Sequence, residues 1–193
     1  MTESAPTHYP RLFGIGGHYR SGKDTFAGLL AEHHEPTVVL GFSDPLHDAL
    51  AALNPYVEPG VRFSDLIASG LSFTEAKAHP EVRALLQRLG TDVGRNIINQ
   101  NCWVNIAERR IEEAFNEGAS VVITGVRFPN ELALIKRLGG FTIWVDRNID
   151  RRLAAHPSER SLTSGAFDAV VFNNGTLEDL SHAAADFARY NVS

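Results

Sequence analysis

Seven consecutive residues, Gly17-His18-Tyr19-Arg20-Ser21-Gly22-Lys23, have the types and spacing of a loop that cradles phosphate. Gly17, four residues, then Gly22-Lys23 match most of the G-x-x-x-x-G-K-[ST] pattern. Glycines allow backbone angles that turn successive N–H groups toward one anion. A helix opening at the end of the loop adds partial positive charge at the same place. Arg20 and Ser21 lie inside the loop, and Lys23 would neutralise the β and γ phosphates of a nucleoside triphosphate. The plainer alternative is a glycine-rich surface turn with a solvated lysine. One letter departs from the pattern: Asp24 stands where Ser or Thr normally touches Mg²⁺, and Thr25 comes next. A carboxylate set against a triphosphate is repelled, so Asp24 is expected to point away from it. It could then bind Mg²⁺ through water or accept a hydrogen bond from a second substrate. Its plain alternative is a first-turn acid favoured by the helix dipole.

The elements around the loop decide between these readings. Residues 12–16 are a short apolar run ending in glycine, which suits a buried strand. Phe26, Leu29 and Leu30 fall at helical spacing after Gly22. Strand before and helix after favour the phosphate site. Residues 37–42 read as a second buried strand, and Asp44 would N-cap a helix through Leu53 with Pro45 in its first position. Residues 54–79 hold Pro55, Pro59, Gly60 and Gly70 and read as an irregular insert with a short helix. Helices follow at 80–89 and 102–117, with a turn at Gly90-Thr91-Asp92. Residues 119–124 are a third strand, 129–138 a helix stopped by Gly139-Gly140, and 141–145 a fourth strand. Residues 147–166 are rich in Arg, His, Pro and Ser and read as a mobile surface segment. Residues 169–172 make a fifth strand and 176–190 a closing helix, while 1–10 read as a disordered arm. Strands alternating with helices imply one α/β domain: a parallel sheet of about five strands covered on both faces.

Ligands of open α/β sheets sit at the carboxyl ends of strands. Ser43 and Asp44 end the second strand and Arg127 ends the third, so both ends should face the Lys23 loop. Gly125 and Pro129 hold Arg127 on a tight turn; its alternative is a surface arginine that caps a sheet end.

Composition narrows the partners. With 193 residues, 44% hydrophobic and 21% charged, the chain can bury a real core. A net charge of -5 does not encourage a nucleic-acid partner, because such binding is dominated by phosphate neutralisation. The single cysteine, Cys102, forms no intramolecular disulfide and reads as a packed side chain. No apolar run approaches the roughly 18 residues of a membrane span, and residues 1–10 lack a secretory core. The expectation is a cytoplasmic protein. The eight His residues show no metal-ligand spacing.

Five blocks then occur in order: Ser21-Gly22-Lys23-Asp24-Thr25, Phe42-Ser43-Asp44-Pro45-Leu46, Leu86-Gln87-Arg88-Leu89-Gly90-Thr91-Asp92, Val126-Arg127-Phe128-Pro129-Asn130-Glu131 and Asn173-Asn174-Gly175-Thr176-Leu177-Glu178. Together they resemble the bacteriophage deoxynucleoside monophosphate kinases, over about residues 12–182. The resemblance implies a P-loop nucleoside monophosphate kinase fold and phosphoryl transfer from ATP to a deoxynucleoside monophosphate (dNMP). It implies a monophosphate-binding region near 54–100, a lid near 147–166, Mg²⁺, the cytoplasm of the host cell and a homodimer.

Phosphoryl transfer needs cations on donor and acceptor more than covalent chemistry. Arg83 and Arg95, with Arg127, are the candidates for the acceptor phosphate; for Arg83 and Arg95 the alternative is a solvated charge. Gln87 could hydrogen-bond a base edge or be an exposed amide, and Trp103 could stack on the base or pack in the core. In the lid, Arg151, Arg152 and Arg160 are candidates for the triphosphate, and Glu159 reads as an ordering residue. Many members of the family carry an acid where this chain has Gly125, which puts the metal shell in doubt and shifts weight to Asp24 and Asp44, directly or through water. Asn174, where relatives often have Asp, reads as a turn residue. Two other readings stay open: a phosphomevalonate kinase-like enzyme, which shares the Ser-Gly-Lys-Asp loop but differs in the middle segment, and a regulatory nucleotide-binding ATPase.

Overall fold

Short β-branched and aromatic runs, each bounded by glycine or polar turns, form the strands, and helical repeats lie between them. The computed structural model describes residues 11–33, 35–148 and 161–190. The chain runs β1 (Leu12–Gly16), α1 (Lys23–Ala31), β2 (Thr37–Gly41), α2 (Asp44–Leu53), β3 (Tyr56–Glu58), β4 (Val61–Arg62), α3 (Phe63–Ala68), α4 (Phe73–Ala76) and α5 (Pro80–Gln87). A π-helical stretch, Arg88–Ile98, follows, then α6 (Cys102–Asn116), β5 (Ser120–Val126), α7 (Pro129–Arg137), β6 (Phe141–Asp146), a 3-10 turn Ser164–Ala166, β7 (Ala169–Phe172) and α8 (Leu177–Tyr190). The arm expected at 1–10 lies outside the described residues. So do residues 149–160, with Arg151, Arg152, Glu159 and Arg160 of the expected lid.

The described residues form two compact units, one of those before 43 with those after 106, the other of 43–106. The first is the expected α/β sheet, five parallel strands in the order β2-β5-β1-β6-β7. Alternation along β1 sends Phe13 and Ile15 to one face, where they pack with Phe26 and Leu30 of α1 and Leu180 and Ala184 of α8. On the other face Gly14 leaves room for Ile135 of α7, which a Cβ there would strike. Both faces are therefore covered, as parallel sheets require.

β2 is not the buried strand expected. β5 pairs between it and β1, leaving β2 at the edge with Val39 47% exposed. The α2 expectation slips by one residue. Ser43 is the N-cap, Asp44 the first helical residue and Pro45 the second, where a missing N–H does no harm.

The second unit is more regular than its sequence suggests. Residues 54–79 contain the antiparallel β3–β4 pair and two short helices, the second closed by Ser72 and Glu75 bonding each other's backbone N–H groups. The turn expected at Gly90-Thr91-Asp92 is instead inside the π-helical stretch. Gly90 and Gly94 let side chains approach it closely: Leu46 lies against Gly90, and the Trp103 ring occupies the space of a Gly94 side chain. Its core is Leu50, Val57, Phe63, Ala76 and Val82.

Beside that core, His47 stacks on Phe73 with centroids 3.6 Å apart, and Lys77 Nζ lies 5.2 Å from the same ring. Burial, helped by Lys77 and opposed by Asp48, pushes His47 down to about 4. The folded state therefore binds fewer protons here than the unfolded chain, whose imidazole titrates near 6.5. The stability tied to neutral His47 is complete above pH 6.5 and lost as pH falls toward 4. Thermal melts of the protein and of His47→Phe, which keeps the stack and cannot titrate, should show a shallower acid decline for the variant in that window. Parallel declines would assign the acid sensitivity to other groups.

Candidate active site

The loop between β1 and α1 is shaped by three left-handed residues, Gly17 (φ 148°), Arg20 (φ 63°) and Gly22 (φ 88°). Two are the glycines of the motif. Arg20 is not, and a side chain in that region costs about 1–2 kcal/mol. Its guanidinium lies 5.3 Å from the Tyr19 ring centroid. The Ser21 N–H donates to His18 O at 3.1 Å, closing the turn. Gly17 is pressed against the Val145 carbonyl and the Ser21 hydroxyl, so no Cβ fits there. Ser21 is wholly buried and its Oγ has no partner among the described residues.

Gly22 is the N-cap of α1 and gives no side-chain cap. The first-turn N–H groups of α1 therefore receive no side-chain acceptor from their N-cap and can serve an anion. Lys23 opens that turn. It is not the solvated side chain of a surface loop: it is 6% exposed, with Nζ 3.7 Å from Asp24 Oδ2. Asp24 is itself 72% exposed, and Thr25 is exposed beside it.

Arg127 comes next. Gly16, which feeds the loop, pairs with Val126, so Gly17 and Arg127 leave adjacent strands at the same end. The register skips Gly125, which sits at φ 77° as a bulge. A left-handed bulge favours glycine over an acid at that position. The backbone after it is fixed by Glu131, 3% exposed, whose Oε2 accepts from the N–H groups of Arg127 (2.7 Å) and Phe128 (3.1 Å). Sequence reasoning did not single out Glu131. The available signal was an acid three residues after the N-cap of a Pro-initiated helix.

Asn173, directly after β7, was missed as well. It is buried, and its Nδ2 donates to Ser21 O at 2.8 Å. Its neighbour Asn174 accepts from Asn148 N–H at 2.7 Å, a bond to the chain beyond β6.

In the second unit, Ser43 and Asp44 open α2 and are half-buried. Arg83 and Gln87 lie one helical turn apart on α5, the first exposed and the second half-buried. Arg95, in the π-helical stretch, donates to Gln100 O at 3.3 Å. Trp103 shows the core alternative instead of an exposed stacking platform. It is 8% exposed, its Nε1 donates to Gly90 O at 2.8 Å, and its ring fills the space beside Gly94. Burial pushes the Cys102 thiol up, against smaller lowering effects of Trp103 and Arg95. A protonated thiol suits packing.

Among the described residues no three His, Cys, Asp or Glu cluster as a metal cage. Nor is any described helix long and apolar enough to cross a membrane.

Comparison with known proteins bears on this arrangement. The family model described as deoxynucleotide monophosphate kinase matches residues 61–183. A protein of Acanthamoeba polyphaga mimivirus, provisionally named a deoxynucleotide monophosphate kinase, is 32% identical over 87% of this chain and 91% of its own length. The deoxynucleotide monophosphate kinase of Enterobacteria phage T4 is 30% identical over 51% of this chain and 42% of its own. Among solved structures, dephospho-CoA kinase from Campylobacter jejuni superposes with a TM-score of 0.53 at 11% identity, covering 94% of this chain and 97% of that one, a likeness of fold. The chain belongs to the deoxynucleotide monophosphate kinase family.

Proposed function

We propose that the chain transfers the γ-phosphoryl group of ATP to a deoxynucleoside monophosphate, giving the diphosphate and ADP. The observation that carries this reading is the loop at 17–23 with its uncapped helix start and buried Lys23, in a chain of this family. The family match also spans residues 86–92, the segment that separates this reading from a phosphomevalonate kinase-like one.

The roles follow from charge. Gly17, Ser21, Gly22 and the first-turn backbone of α1 hold the donor phosphates, and Lys23 balances the β and γ oxygens. Arg20 and Thr25 stand at the edges of that cradle. Arg127, set by Glu131 at the neighbouring strand end, takes the charge that spreads onto the transferred group. Recognition of the monophosphate falls to residues 54–100 and their flanks, with Ser43, Asp44, Arg83, Gln87 and Arg95 as the polar groups. Trp103 contributes by packing. The family resemblance assigns the lid role to residues 147–166.

Mg²⁺ bound with nucleotide phosphates asks for only one or two protein carboxylates and otherwise keeps water. Exposed Asp24 fits that demand, and Asp44 is the second candidate. When bound, the ion supplies further neutralisation of the phosphate oxygens. The family resemblance supports a cytoplasmic homodimer as the working form.

Two measurements test this reading. ADP formation from ATP should require a dNMP, and a panel of the four would identify the accepted bases. ATP hydrolysis indifferent to all four would reject the kinase reading in favour of a regulatory ATPase. Lys23→Ala should lower kcat/KM about a thousandfold and Arg127→Ala about a hundredfold, the scale of losing a fixed cation at a developing charge. Because Lys23 is buried, the melting temperature is measured alongside. Unchanged kinetics in either variant would remove that residue from the mechanism.

A further inference from the structure

Asn173 has no part in the chemistry outlined above, yet it reaches the phosphate loop across 152 residues of sequence. Two bonds hold it in place. Its backbone N–H donates to Asp146 O at 2.7 Å, tying the end of β7 to the end of β6. Its side-chain Nδ2 donates to Ser21 O at 2.8 Å in a buried setting. A Cβ on Gly22 would collide with the same amide nitrogen. The Asn173 amide therefore fills the space that left-handed Gly22 leaves beside it.

The Ser21 carbonyl belongs to the peptide that also carries the Gly22 N–H. A trans peptide is planar, with C=O and N–H pointing in opposite directions. Holding the Ser21 oxygen toward Asn173 turns the Gly22 N–H to the other side. Glycine offers little resistance to rotation of that plane, since it populates positive and negative φ about equally. Some other group must prevent the flip, and among the described residues the Asn173 amide is bonded to this carbonyl.

We infer that Asn173 is a positioning residue for the donor site: it locks the Ser21–Gly22 peptide so that the Gly22 N–H is presented to phosphate. The inference rests on the phosphate-loop reading of residues 17–23. Asn173 does not touch the transferred group; it acts through the loop, so its loss should affect the donor and not the acceptor.

The test uses the full-length protein and three variants. Asn173→Leu is close in size, neutral and without a donor. Asn173→Asp is isosteric and also without a donor. Asn173→Ala removes the amide with the least crowding against Gly22 and decides the matter should the Leu variant not fold. Binding of ATP and of inorganic tripolyphosphate is measured by calorimetry, with KM for both substrates, kcat and melting temperature. Loss of one buried hydrogen bond that preorganises the loop should weaken both ligands, and raise KM for ATP, about tenfold, with KM for the dNMP unchanged.

A purely structural asparagine would lower the melting temperature and the active fraction, hence kcat, and leave KM for ATP alone; that result overturns the inference. So does a weakened Asp variant beside Leu and Ala variants that bind as the parent does, since added charge would then be the cause. Failure of the parent protein to bind either tripolyphosphate or ATP would reject the phosphate-loop reading itself, a separate outcome.

Discussion

An anion as highly charged as a triphosphate needs donors that are in place before it arrives, and here they come from a backbone bent where side chains resist bending. Three of six residues from Gly17 to Gly22 are left-handed. That conformation persists because neighbours over-determine it. Val145 O closes on Gly17, His18 O ties Ser21, and Asn173 takes the Ser21 carbonyl. These supports lie at the ends of β6 and β7 or within the loop. The sheet order, with β1 beside β6 and β6 beside β7, is what brings them to one place.

The same logic governs the other side of β1. Gly125 is squeezed out of register, and the strand resumes with Val126 opposite Gly16. Arg127 therefore starts from a position fixed against the loop. Glu131 then accepts both backbone N–H groups ahead of α7. A carboxylate buried to this degree is costly without hydrogen bonds, and these two backbone donors offset part of that cost. Its two backbone bonds keep the chain turning after the bulge, at the residue that carries the Arg127 cation.

What the sequence made legible was what short-range rules encode. The loop, the alternation of strands and helices and the start of α7 at Pro129 were readable because glycine, proline and apolar period carry local meaning. β7 was read to its observed limits, Ala169–Phe172, for the same reason. What depended on pairing was not. Nothing local tells β2 that β5 will insert beside β1 and leave Val39 exposed. A solvated Lys23 was only the plainer alternative to a phosphate site, and nothing in the local sequence shows that the folded chain covers it to 6% exposure. Gly90 reads as a turn residue, and in the fold it and Gly94 are the thin places where Leu46 and Trp103 approach. Asn173 could not be tied to Ser21 without knowing that β7 ends near β1's loop.

Asp24 shows how the charges at the loop divide. The acid stands one residue past Lys23, where a neutral hydroxyl is usual, and its carboxylate is 3.7 Å from Nζ with most of its surface in water. With its acid in water, a pair of this length is screened and weak. Such a pair cannot hold Lys23 away from a triphosphate. The lysine is held by its burial, which leaves little freedom to lose when phosphate arrives. The acid stands in the first turn of α1, where the positive helix end favours its charge. At the end of β5 the bulge residue Gly125 brings no carboxylate. Asp24, being solvated, therefore subtracts little from the positive field of Lys23 and the α1 N-terminus.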